Sequence, residues 1–417
     1  MVSPKNHYGK GPLKAILIIL ITVHVLSVPS YAQEFKLKGN RKKERISFRL
    51  IKNLIVIPVY INKKGPYNFI LDTGVGAMLI TDPSILDSLQ FSKLRKVKVG
   101  GAGNGEDLDA YISIILETQI GHATLTYTPA AILEEDFFSL SNYLGTPIHG
   151  LVGSYFFNSF VVKLKYSTRS ITFYKHDVPF RRKGIGLPIE LILNKPYIDL
   201  SVQTQGMEPR KSKLLMDSGA SNSLSLEILD GKKYPLPAYS IPANLGVGFG
   251  GLVTGNIARA PLVSIGPYEI KNTLVSYPDY EGGPLKALRT GRNGIIGADI
   301  LSRFDIIMDY ENHVFFFKPN QNFKKPFEHD MSGLEIYQSG EGLKDYMIGR
   351  IEKGSPAELE GVQIGDEILG VNLHPVAELD LEAINDFLKA GDGRKCILKL
   401  FRDGEVVYKI ITLKKRI

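Results

Sequence analysis

Short apolar runs separated by polar turns fill the chain between residues 46 and 320. The runs at 55–61 (IVIPVYI) and 197–202 (YIDLSV) are rich in β-branched and aromatic residues and too short for helices, so each reads as a strand. Short helices are expected only at Asp82–Leu89 and after Gly153 and Gly297. The pattern changes near Phe327. Beyond it the spacing predicts helices starting at Ser355-Pro356-Ala357 and covering Leu381–Lys389, with strands at Ile368–Val371, Cys396–Arg402 and Glu405–Leu413.

The β-rich part repeats itself with a period of about 144 residues. An apolar run leads into Asp72-Thr73-Gly74 and a second into Asp217-Ser218-Gly219. Gly150-Leu151-Val152-Gly153 follows Asp72 by 78 residues, and Gly294-Ile295-Ile296-Gly297 follows Asp217 by 77. Between them lie two glycine-rich tips, Gly100-Gly101-Ala102-Gly103 and Gly246–Gly251, each placed as a hairpin would place it. Paired runs around Tyr166 and Tyr310 close the copies. These repeats predict a mainly β fold of two pseudo-symmetric lobes, 46–180 and 184–322, followed by an α+β module at 327–417.

Composition narrows the picture. An apolar fraction of 44% and a charged fraction of 23% suit a globular chain. The formal charge of +8 is spread over short runs such as Arg181-Arg182-Lys183. No basic stretch interleaved with aromatics marks a nucleic-acid surface. The single cysteine, Cys396, excludes an intrachain disulfide. Residues 1–32 have three lysines, no acid, an apolar run at 15–26 and a small-x-small end. This is the order of a signal peptide, so the chain is expected to be secreted or periplasmic. A membrane enters only if that leader stays uncleaved. Residues 33–45 read as a polar, basic tail, either a short pro-segment or disordered.

The repeated motif carries chemistry. One water can hydrolyse a peptide bond if it loses a proton as it attacks while the carbonyl oxygen gains one. Two carboxyls at one centre do both jobs by sharing a proton, because like charges a few ångströms apart do not both ionise cheaply. Gly74 and Gly219 let the backbone pass close to the acids and donate to them. The Thr73 and Ser218 hydroxyls can bond across to the opposite loop.

These paired loops with their apolar-apolar-glycine partners resemble the pepsin and retropepsin superfamily of aspartic proteases. The resemblance covers roughly residues 46–320. It implies an aspartic endopeptidase with Asp72 and Asp217 as the catalytic pair, no metal or other cofactor, protein or peptide substrates, and a substrate-covering flap at Gly100–Gly103. The chain departs from pepsins after each loop glycine, where Val75 and Ala220 replace hydroxyl residues. Losing those donors should raise the pair's affinity for protons. The stretch 354–372 (GSPAELEGVQIGDEILGVN) resembles PDZ domains. That resemblance implies a peptide adding as a strand beside Leu334–Tyr337, with Gly333, Leu334, Glu335 and Ile336 presenting N–H groups to its terminal carboxylate. A non-catalytic peptide-binding protein with relic lobes is the competing reading. A serine or zinc hydrolase finds no motif here.

Overall fold

A computed structural model describes residues 33–85, 95–99, 108–136, 139–248, 251–279 and 290–417. Its two large sheets follow one plan. In the first, the order runs Lys36–Leu37, Ala123–Leu133, Met78–Ile80, Gly150–Val152, Lys64–Leu71, Leu54–Ile61, Leu108–Ile120, Arg95–Val99. In the second, Leu224–Leu226, Gly294–Ile296, Arg210–Met216 and Lys195–Gln203 lie side by side in the same way. The short central strand is parallel to the strand that delivers the aspartate in both sheets. Val152 pairs with Leu71, and Ile296 with Met216.

Glycine at the head of each central strand is a packing requirement. A Cβ on Gly150 would run into the Leu79 carbonyl oxygen, and one on Gly294 into that of Ser225. The central strands therefore come closer to their neighbours than any other residue permits.

A third sheet of six strands joins the lobes. At its middle, Val161–Lys165 from the first copy pairs antiparallel with Phe304–Asp309 from the second, Val162 opposite Met308 and Leu164 opposite Ile306. Inward residues such as Phe157, Phe173, Phe304 and Phe317 are almost wholly buried beneath it and form one continuous core with both lobes. The helices expected after Gly153 and Gly297 are Ser154–Ser159 and Ala298–Leu301. Of the helix expected at Asp82–Leu89, residues 86–89 lie outside the described residues.

Residues 33–45 correct the sequence reading, because they belong to the fold. Lys36–Leu37 pairs with Ala123–Leu133, and Lys43–Ser47 is the outer strand of the joining sheet. Phe35 and Leu37 are buried, and Ser159 Oγ accepts from the Phe35 N–H at 2.8 Å. Two apolar side chains at alternate positions suffice to anchor this strand, although charge dominates its composition. Residues 1–32 lie outside the described residues.

The C-terminal module has its own sheet, ordered Leu334–Ser339, Asp345–Ile351, Glu367–Val371, Lys395–Arg402, Glu405–Thr412, and its own core. Its helices are Pro356–Leu359, capped by Ser355, and Leu381–Leu388, capped by Asp380. Asp366 is almost wholly buried, where Arg402 grips it with two bonds of 2.6 Å.

Candidate active site

The aspartates meet where the two repeats face each other. Each sits at the end of its strand in a loop that the central strand pins from behind. The Asp72 N–H donates to the Val152 carbonyl at 2.9 Å, and the Asp217 N–H to that of Ile296 at 3.0 Å. Each loop then folds back on its own acid. The Gly74 N–H donates to Asp72 Oδ1 at 2.6 Å, and the Gly219 N–H to Asp217 Oδ1 at 2.9 Å.

Glycine is required here too, because the opposite carboxyl lies against it. A Cβ on Gly74 would stand 2.7 Å from Asp217 Oδ2, and one on Gly219 would overlap the Asp72 carboxyl. The two carboxyls lie close enough for a shared proton to bond them. Asp72 is 5% exposed. Burial first, then the charge and hydrogen bond of Asp217, push its carboxyl well above the usual carboxylate range, against the smaller opposing pull of the Gly74 N–H.

The hydroxyls beside the acids lock the loops together. Thr73 Oγ1 accepts from the Ser218 N–H at 3.0 Å and donates to the Met216 carbonyl at 2.6 Å. Ser218 Oγ accepts from the Thr73 N–H at 3.1 Å and donates to the Leu71 carbonyl at 2.9 Å. Both residues are fully buried, so these four bonds join the lobes out of reach of water. Thr73→Val keeps the shape but leaves a buried N–H and a buried carbonyl unpaired, each costing about 1–3 kcal/mol. In denaturant titration it should lower stability by about 2–4 kcal/mol, whereas Thr73→Ser stays close to wild type. Equal stability of Thr73→Val and wild type would show that the latch does not hold the lobes.

A cleft of about 260 Å³ opens above the acids. Leu54, Ile70 and Leu151 wall it from one lobe and Leu245, Val253 and Ile295 from the other. Behind the acids, the Tyr310 hydroxyl is buried with no hydrogen-bond partner among the described residues. Burial, then the charges of both aspartates, raises its pKa. The expected flap residues Gly100, Gly101, Ala102 and Gly103 lie outside the described residues. In the second lobe, the counterpart hairpin of Ile241–Gly248 and Gly251–Ile265 brings Leu245, Gly246 and Gly248 to the cleft.

The sequence reading missed Tyr143, Ser221 and the Lys52-Asn53 turn. Tyr143 and Ser221 line the cleft. Asn53 Nδ2 donates to the Ser221 carbonyl at 3.3 Å. Only the turn left a trace, as two residues between apolar runs; both have positive φ, as in the tight hairpins that favour Asn.

The carboxylate-binding role expected of Gly333, Leu334, Glu335 and Ile336 needs correction. The Gly333 N–H donates to the Asp330 carboxylate and the Leu334 N–H to Ser332 Oγ at 3.1 Å. A nearby acid thus takes the place reserved for an incoming carboxylate. Ile336 is buried in the module's core and pairs with Ile348, while Glu335 points to the lobes.

Comparison with known families agrees with this architecture. The aspartyl protease family model matches residues 57–156. That span contains Asp72, its loop and the first central strand, while the second copy is supplied by the fold. The PDZ domain model matches residues 347–402. No curated protein matches the chain. The protein thus combines a bilobal aspartyl protease-like fold with a C-terminal PDZ domain.

Proposed function

We propose that this protein is an aspartic endopeptidase that hydrolyses peptide bonds with water activated between Asp72 and Asp217. The observation that carries the reading is the pair of acids facing each other at the floor of a largely apolar cleft, each carboxyl against the opposite loop's glycine, with burial and its partner raising the Asp72 carboxyl's affinity for a proton. The ionised member takes a proton from water as the water attacks, and the protonated member gives its proton to the carbonyl oxygen. The loop N–H groups of Gly74 and Gly219 keep both carboxyls in place through the exchange. Binding energy for an extended peptide comes from the apolar walls. The signal-peptide pattern expected at residues 1–32 would place this work outside the cytoplasm.

The test is cleavage of a denatured protein and its inhibition by pepstatin, a peptide that occupies such a pair. Cleavage blocked by pepstatin supports the reading; cleavage indifferent to it, or none at any pH, overturns it. The same assay measures pH dependence. Pepsin's pair titrates near about 1.5 and 4.7. Here Val75 and Ala220 offer the carboxylates no hydroxyl, and burial raises Asp72, so the shared proton leaves at higher pH. The optimum should lie nearer neutrality than pepsin's, and a profile peaking near about pH 2 contradicts this account.

A further inference from the structure

Glu335 stands where three parts of the molecule meet. It belongs to Leu334–Ser339, the edge strand of the PDZ domain. Asn244 Nδ2 donates to its Oε2. Asn244 lies on the second-lobe hairpin, next to Leu245 and Gly246, which wall the cleft.

From the first lobe comes Lys52, at the tip of the turn between Arg49–Ile51 and Leu54–Ile61. Its ammonium sits 3.6 Å from the centre of the Tyr143 ring. Burial lowers its pKa to about 8, and the Glu335 charge opposes that fall. The same charge helps burial raise Tyr143 to about 12. Tyr143 and Ser221, two residues beyond Gly219, line the same cleft, and Ser221 partly offsets the rise in the Tyr143 pKa. Around this cluster the helix Leu140–Leu144 packs on Leu334–Ser339, and the Gln338 amide fills the space over Gly145.

We propose that Glu335 is a positioning residue of the cleft: from a PDZ-domain strand that packs against the Tyr143 helix of one lobe, it bonds Asn244 of the other, so that this domain completes one end of the substrate site. The inference rests on the protease reading for its consequence but on geometry for its substance. One carboxylate accepts from the hairpin amide of one lobe, while its strand packs on the helix that carries Tyr143 of the other. Removing it takes the acceptor from the Asn244 amide, which frees the hairpin strand that carries Leu245, and takes a negative charge from the surroundings of the half-buried Lys52 ammonium. The dyad itself is untouched, because none of these groups bonds to Asp72 or Asp217.

The experiment uses the full chain carrying Glu335→Ala or Glu335→Gln. Glutamine keeps an acceptor for Asn244 and drops the charge facing Lys52. Two readouts are taken: steady-state kinetics on a peptide substrate, and amide hydrogen exchange in residues 139–145 and 241–246. With Glu335→Ala, KM should rise about three- to tenfold with kcat within about twofold, and exchange should quicken in both segments. Glu335→Gln should fall between alanine and wild type. Unchanged exchange in either segment, unchanged KM, or a loss confined to kcat overturns the proposal. If alanine does not fold, glutamine decides by the same readouts. If the wild type cleaves nothing, the protease reading fails, and exchange alone decides the role of Glu335.

Discussion

On the proposed mechanism, Asp72→Asn and Asp217→Asn should each lose at least about a thousandfold in kcat, at the upper part of the range for a general acid or base. The reason lies in proton counting. The pair works only while it holds one proton and can pass it on, and an amide neither accepts a proton from water nor donates one to a carbonyl. Yet Asn is well suited to the site at position 72. Its Oδ1 can still take the Gly74 N–H, and its Nδ2 can donate to Asp217 as the protonated carboxyl does. A second result follows, of opposite sign. Because the fold raises the Asp72 pKa, the folded state keeps a proton that the unfolded chain releases. Stability therefore falls as pH rises from the usual carboxylate pKa towards the raised one, and the cost is fully present above it. Asp72→Asn has no such cost. Its melting temperature should exceed that of wild type at pH 7, and the gap should close as pH falls below the ordinary carboxylate range. Activity lost while stability is gained separates the chemistry from the fold. Variants that cleave like wild type would sink the proposed mechanism, and an Asn variant less stable than wild type at pH 7 would sink the account of the buried proton.

These acids were legible in the sequence because their surroundings constrain residue type at short range. An aspartate that receives its own loop's N–H needs glycine two residues on, and a strand that slides behind that loop needs glycine at both ends. Two copies of that demand leave a repeated pattern. The Glu335 cluster leaves none. Asn244 and Glu335 are 91 residues apart and Asn53 and Ser221 are 168 apart, and nothing about any one of them announces its partner. Residues 33–45 were misread for a related reason. Phe35 and Leu37 are buried, but alternation over two apolar positions among charges is too short to stand out. The groove loop was misread through competition. The resemblance fixed its outline, but Asp330, three residues before Gly333, supplies an acceptor that the outline does not contain.

The glycines of the central strands provide the largest expected effect on stability. Gly294 pairs with Leu214 on one side and Leu226 on the other, and an added methyl would strike the Ser225 carbonyl oxygen and crowd the Leu226 Cα, 3.1 Å away. These are backbone atoms of neighbouring strands, so no rotamer change relieves the overlap. Moving the central strand outward would break the Asp217 N–H bond to the Ile296 carbonyl, and with it the loop that carries the acid. Gly294→Ala should cost more than about 4 kcal/mol, in the range reserved for severe core disruption, and purify unfolded or not at all. Gly150→Ala should behave alike, since its Cβ meets the Leu79 carbonyl oxygen in the equivalent place. Gly76 gives the contrast. It lies close to Asp72 in sequence but has open space where a Cβ would go and no left-handed φ. Gly76→Ala should change stability by less than about 0.5 kcal/mol. Circular dichroism melts of the three variants decide it. A stable, folded Gly294→Ala protein would mean that the second central strand can move away from Ser225, and that the spacing repeated in the sequence is not fixed by close packing.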